Sequence, residues 1–141
     1  MRGTVRSTKN EAKLEPLKLA YGELYDQLEL VEADLLNEES IINACEGVKY
    51  VVHTASPFPV KAPKDENELV KPAVEGTLAA MKGAEKHGVS RVIITASMAS
   101  VMVTDDKKKS EFDHNDWSNE KICQPYEKSK TLAEKAAWDF L

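Results

Sequence analysis

The sequence predicts an α/β fold in which a parallel sheet is covered by helices. Short runs rich in β-branched residues alternate with longer helical patterns, in the order β-α-β-α-β-α-β-α. The run Val48 to Thr54 is nearly continuous in apolar residues, as expected for a strand buried on both faces. The length of 141 residues fits one domain with room for a core. With aromatics at only 6%, that core must rest on Val, Ile, Leu and Ala.

The elements follow in order. Gly3 to Arg6 reads as a strand ending in a cation, and Asn10 to Tyr21 as a helix that Pro16 should shorten or begin. Leu28 to Val31 is a second short strand. Asn37 is placed to cap a helix over Glu38 to Cys45, with Gly47 just past its end. After the third strand comes a proline-bearing loop, Ser56 to Lys64. Leu69, Ala73, Val74, Thr77, Leu78, Met81 and Ala84 then recur at helical spacing, and Gly88 stops that helix. Pro72 inside it predicts a kink or a start nearby. Arg91 to Ala96 is the fourth strand and runs into Ser97. A polar loop from Thr104 to Gln124 leads to an Ala-rich helix from about Tyr126 to Leu141.

Composition excludes several functions. A net charge of −5 argues against nucleic acid as a main partner, because phosphate binding needs a basic face. The run Lys107 to Lys109 follows Asp105 and Asp106 and reads as a solvated loop. Cys45 and Cys123 match no metal spacing and read as free thiols of a reducing compartment. His53, His87 and His114 form no HxxxH or HxH pair, so no metal site is expected. No apolar run reaches the roughly 20 residues of a membrane span, and Met1 to Lys9 has no signal-peptide apolar stretch. The expected compartment is the cytosol.

The chemistry lies near the C-terminus. Tyr126-Glu127-Lys128-Ser129-Lys130 gives Tyr-x-x-x-Lys on a helix, with phenol and ammonium on one face. A free phenol ionises only near pH 10, and a fixed cation beside it stabilises the phenolate. Such a tyrosine can pass a proton to a carbonyl oxygen as hydride arrives at carbon. Ser97 would hydrogen-bond the same oxygen and fix its orientation. Alone the motif is weak in a lysine-rich chain with four tyrosines. Its context is stronger: Ser97 ends a strand, where open α/β sheets put their sites, and Thr54-Ala55-Ser56-Pro57 ends the neighbouring strand with small residues. His53 reads as a buried strand position. Trp117 reads as a packing anchor, held equally with the place near the substrate that resemblance to a known family implies.

Several segments together resemble the extended short-chain dehydrogenases/reductases. They are Thr4 to Ser7, Ala33 to Leu36, Val52 to Phe58, Lys71 to Thr77, Thr95 to Ser97 and Ser129 to Glu134. Within that family the chain is most similar to the dihydroflavonol 4-reductase / cinnamoyl-CoA reductase-like group, nearly end to end. The resemblance implies a Rossmann-type doubly wound parallel sheet and Ser97, Tyr126 and Lys130 as the catalytic set. It implies NADP as cofactor, with Arg6 and Lys13 on the 2′-phosphate, Asp34 and Leu35 beside the adenine, and Lys130 also on the ribose. Thr54, Ala55 and Ser56 would line the way to the nicotinamide, with Thr95 supporting the ring and Tyr126 beside it. The implied substrate is a small-molecule carbonyl or alcohol. The helices around 66–87 and 126–141 would pair two copies.

Departures from the family pattern matter equally. Met102 stands where plant flavonoid reductases carry a substrate-binding asparagine, so a broader aldehyde or ketone reductase is expected. The glycines at 3, 22, 47, 76, 83 and 88 form no G-x-x-G-x-x-G turn to hold a pyrophosphate at a helix N-terminus. The expectation is a partial NADP-binding Rossmann domain over 1–141, lacking its first strand, its glycine-rich loop and the C-terminal substrate domain. In the family's sheet that strand would lie between Gly3–Arg6 and Val48–Thr54. Without it the two strand pairs either close up or leave raw edges. The function expected is NADP-dependent carbonyl reduction. The alternatives are an inactive fragment serving as an interaction module, or an epimerase, dehydratase or 3β-hydroxysteroid dehydrogenase of the same superfamily.

Overall fold

The computed structural model describes residues 1–58, 61 and 63–141. Its elements are β1 (Arg2–Val5), α1 (Glu11–Tyr21), β2 (Glu29–Glu32), α2 (Glu38–Ala44), β3 (Tyr50–His53), α3 (Asn67–His87), β4 (Arg91–Ile94) and α4 (Pro125–Asp139). Two 3₁₀ segments, Gly22–Gln27 and Met98–Ser100, supplement them. This is the alternating order expected from the sequence. The expected loop over 56–64 includes residues 59, 60 and 62, which lie outside the described residues.

Asn37 and Gly88 act at helix ends as expected, and α4 adds a cap the sequence reading did not name. The Asn37 side chain accepts from the Ser40 backbone N–H at 3.2 Å, satisfying a donor that the first turn leaves open. Gly88 closes α3 at φ 65°, its N–H reaching the carbonyls of Ala84 and Glu85. At α4, Pro125 occupies the first turn, where a missing N–H costs nothing. The Gln124 N–H donates to Glu127 Oε2 at 2.7 Å, half of a capping box.

Both internal prolines lie inside continuous helices, which corrects the expectations that Pro16 shortens or begins α1 and that α3 starts near Pro72. α1 runs through Pro16, and α3 begins at Asn67, well before Pro72. By i−4 spacing, the carbonyls left without donors belong to Ala12 and Glu68. Both residues are exposed, so solvent can bond those oxygens.

All pairing is parallel, but it falls into two separate two-stranded sheets, β1–β2 and β3–β4. The pairs do not close up on each other. The expected burial of the third strand on both faces is therefore wrong. Tyr50 and Val52 on β3 and Ile93 on β4 are 57%, 61% and 50% exposed. Residues level with one another in a parallel ladder share a face, so these three form one uncovered side. Val51, His53, Val92 and Ile94 face the other way and are half-buried.

The core centres on α3, which packs against α2 on one side and α4 on the other. Its buried residues are mostly small: Ala73, Gly76, Thr77, Ala79, Ala80, Gly83 and Ala84. Two glycines admit close neighbours. A Cβ on Gly83 would meet Cys45 Sγ at 2.8 Å and Ile42 Cα at 3.0 Å, and one on Gly76 would collide with the Leu35 side chain. Cys45 is buried and free, and Cys123 is free and partly exposed. Among the described residues, no helix is long and apolar enough to cross a membrane.

Candidate functional site

α4 sets Tyr126 and Lys130 one turn apart. Lys130 Nζ lies 6.0 Å from the Tyr126 ring centroid. Partial burial pushes the Lys130 ammonium below the usual lysine range. Among the described residues it forms no ion pair with a carboxylate. His53, at the end of β3, is pushed below the usual histidine range, first by burial and then by the Lys130 charge. The end of β3 and the first turns of α4 are thus within electrostatic reach. The other face of α4 is fixed against the core. Ser129 and Thr131 are fully buried and return their hydroxyls to the carbonyls of Tyr126 (2.7 Å) and Glu127 (2.9 Å).

Ser97 stands past β4 as the cap of the Met98–Ser100 turn, which packs against α4. Its Oγ accepts from the Ala99 N–H at 3.2 Å, which leaves the hydroxyl proton free to donate. A loop segment clamps that turn: Ser118 Oγ donates to the Ala99 carbonyl at 2.7 Å and accepts from the Val103 N–H at 2.9 Å. The same segment is tied to α4. Lys135 Nζ meets Glu120 Oε1 at 2.5 Å and stands 5.3 Å over the Trp117 ring. Trp117 is held on one face by that ammonium and is otherwise 39% exposed. Met102 is exposed beyond the turn.

The other candidates lie nearby, some together and some not. Asp34, Leu35, Thr54 and Ala55 line one cavity of about 510 Å³ between β1 and β3, with His53 in its wall. The Asp34 carboxylate accepts from the Leu36 N–H at 2.9 Å, shaping the turn after β2. Arg6 follows β1, and Lys13 lies on α1; both are exposed and unpaired among the described residues. Ser56 is half-buried and Thr95 exposed, and neither lines that cavity. The Thr95 N–H extends the β3–β4 ladder to the His53 carbonyl at 3.0 Å.

Sequence reasoning missed two contributors. Phe58 packs edge-on against Tyr126 with ring centroids 5.3 Å apart, and Ser118 organises the serine turn. Spacing carries no signal for a contact between an exposed loop phenylalanine and a helix so far along the chain. Ser118 had a faint one, as a small polar residue beside Trp117.

Comparison with known proteins places this geometry. The profile of the 3-beta hydroxysteroid dehydrogenase/isomerase family matches residues 9–139. Tetraketide alpha-pyrone reductase 1 of Arabidopsis thaliana is 40% identical over 144 residues, covering 98% of this chain and 44% of that protein. Dihydroflavonol 4-reductase of Medicago sativa is 36% identical over 148 residues, covering 99% of this chain and 67% of that protein. Among solved structures, the yeast methylglyoxal/isovaleraldehyde reductase complexed with NADPH superposes with a TM-score of 0.80 at 29% identity, covering 99% of this chain and 45% of that one. Vestitone reductase from alfalfa gives 0.71 at 31% identity, covering 99% and 43%. The chain thus spans less than half the length of most of these relatives.

Proposed function

The chain belongs to the 3-beta hydroxysteroid dehydrogenase/isomerase family, within the extended short-chain dehydrogenases/reductases, and from that premise we propose that it carries the proton-transfer site of an NADP-dependent carbonyl reductase. The observation that carries the reading is Lys130: half-buried, without a carboxylate partner among the described residues, and one turn from Tyr126. A lysine serving only as a surface ion pair would keep an acid beside it, as Lys128 keeps Glu66 at 2.8 Å.

In this reading the Tyr126 hydroxyl gives its proton to the substrate carbonyl oxygen. The Lys130 ammonium stabilises the phenolate left behind. The Ser97 hydroxyl, its oxygen already accepting from Ala99, donates to the same substrate oxygen and orients it. NADPH, when bound, would supply hydride to the carbonyl carbon. Residues fit parts of that cofactor. Arg6 and Lys13 give two exposed cations for a 2′-phosphate, and Leu35, Thr54 and Ala55 give small or apolar walls at the strand ends. The pyrophosphate has no glycine turn in this sequence to receive it. Met102 in place of a substrate amide favours simple aldehydes and ketones over flavonoids.

The test is a panel of simple aldehydes, aromatic ketones and hydroxysteroids with NADPH and NADH, on the longest natural polypeptide that contains these residues. Reduction of aldehydes or ketones with NADPH supports the reading; activity confined to hydroxysteroids, or to sugar-nucleotide epimerisation, sinks it. Pairing of copies through α3 and α4 belongs to the same proposal, and sedimentation of that polypeptide reads it.

One observation favours a second reading. The strands form two unjoined pairs, and no glycine cradle accompanies them. On that reading the 141-residue chain, taken by itself, binds no NADPH and serves as an interaction module. A fluorescence titration of the purified chain with NADPH decides it, tight binding being the contrary result.

A further inference from the structure

Ala99 sits between two serine hydroxyls. Its N–H donates to Ser97 Oγ at 3.2 Å, and its carbonyl accepts from Ser118 Oγ at 2.7 Å. The Met98–Ser100 turn closes only its first half by itself. The Ser97 carbonyl accepts from the Ser100 N–H at 2.9 Å, and the Met98 carbonyl from the N–H groups of Val101 and Met102, both at 3.1 Å. The next two carbonyls, of Ala99 and Ser100, take their donors from Ser118. Its hydroxyl serves Ala99, and its N–H serves Ser100 at 2.9 Å. Ser118 Oγ also accepts from the Val103 N–H at 2.9 Å, and the Asn119 N–H reaches the Val103 carbonyl at 2.8 Å. Ser118 is 3% exposed and Ala99 9%, so water has little access to replace these bonds.

We propose that Ser118 is the positioning residue of the catalytic serine, holding Ala99 so that the Ser97 hydroxyl proton is aimed at the substrate oxygen; this rests on the proton-transfer reading of Ser97, Tyr126 and Lys130. With the Ala99 N–H on its oxygen, the Ser97 hydroxyl is left to donate. Without Ser118 the Ala99 carbonyl loses its donor and the turn relaxes, drawing that N–H away from Ser97. The hydroxyl then rotates freely, and the donor to the reacting oxygen is no longer preorganised. The same segment also fixes where the turn stands. Glu120, two residues on, meets Lys135 at 2.5 Å, on the helix that carries Tyr126 and Lys130. A serine kept only to satisfy a buried turn would cost stability when replaced, but would not act through Ser97.

The test is a double-mutant cycle in the longest natural polypeptide that contains these residues, reading kcat and KM for NADPH-dependent carbonyl reduction. Ser97→Ala should lower kcat by at least about 10²-fold. Ser118→Ala should lower it by at least about tenfold, with KM for NADPH unchanged. The double variant should match Ser97→Ala within about twofold, because the hydroxyl that Ser118 aims is already gone. Losses that multiply in the double variant overturn the proposal, as does a Ser118→Ala kcat within about twofold of wild type. If Ser118→Ala fails to fold, Ser118→Cys, close in volume and a weaker donor, enters the same cycle with an expected loss of at least about threefold. Amide exchange at Ala99 separates the proposal from the reading it rests on. Ser118→Ala should speed that exchange at least about fivefold, whether or not the polypeptide reduces carbonyls. Unchanged exchange overturns the proposal. Faster exchange in a polypeptide that reduces no carbonyl keeps the hold on Ala99 and sinks the proton-transfer reading.

Discussion

Gly83→Ala tests the packing that holds both walls of the site, because α3 backs α2 on one side and α4 on the other. Two effects oppose each other. An alanine in a helix interior is favoured over glycine by about 1 kcal/mol. Against this, the new Cβ would sit 2.8 Å from Cys45 Sγ and 3.0 Å from Ile42 Cα. The Cys45 side chain is 4% exposed and has little room to turn. Ile42 Cα is backbone, so relief requires moving α2 itself. Overpacking of this kind costs about 1–3 kcal/mol, so the net expectation is a loss of about 1 kcal/mol. Urea unfolding followed by far-UV circular dichroism should show the midpoint falling by roughly 0.3–1 M, given a slope of about 1–3 kcal/mol/M. Cys45→Ala in the same background should recover only part of the loss, since Ile42 remains. A Gly83→Ala variant as stable as wild type, or more so, would show that helix propensity outweighs the contact and refute the reasoning.

Three further outcomes follow from the geometry. His53 is held below its ordinary value by burial and by Lys130, so the unfolded chain takes up its proton first as pH falls. Its contribution to stability is present above about pH 6.5 and is lost as acidification proceeds toward the folded value; His53→Gln should flatten that slope in pH-dependent melts. Asn37→Ala removes the cap on α2 and should cost about 1 kcal/mol in the same urea assay, with Asn37→Asp largely retaining it. In the longer natural polypeptide, Arg6→Ser should raise KM for NADPH at least about tenfold and leave NADH little changed, because only NADPH carries the 2′-phosphate. An equal effect on both cofactors would remove Arg6 from that role.

Much of the fold was legible because it is written in local signals. Apolar runs, helical spacing, Asn37, Gly47 and Gly88 act on their own neighbourhoods, and the structure places elements where they indicate. The errors came where tertiary context decided. Pro16 as a shortened or late start and Pro72 as a helix start did not hold, because each proline deprives only the carbonyl of an exposed residue of its donor, where solvent can bond instead. The apolar run through β3 could not reveal that one face would remain uncovered, because covering depends on elements elsewhere. Tyr126 and Lys130 were legible from their spacing on one helix. The Phe58 ring against Tyr126 and the Ser118 clamp on the serine turn were not, since both join segments distant in sequence.

The Tyr126 hydroxyl is the proposed proton donor, and every other role at the site depends on it. Tyr126→Phe keeps the ring, and with it the contact to Phe58 and the helix, while deleting only that hydroxyl. NADPH-dependent carbonyl reduction by the longer natural polypeptide should fall by at least about 10²-fold in kcat, with NADPH affinity unchanged. Activity within about twofold of wild type would contradict the proposal.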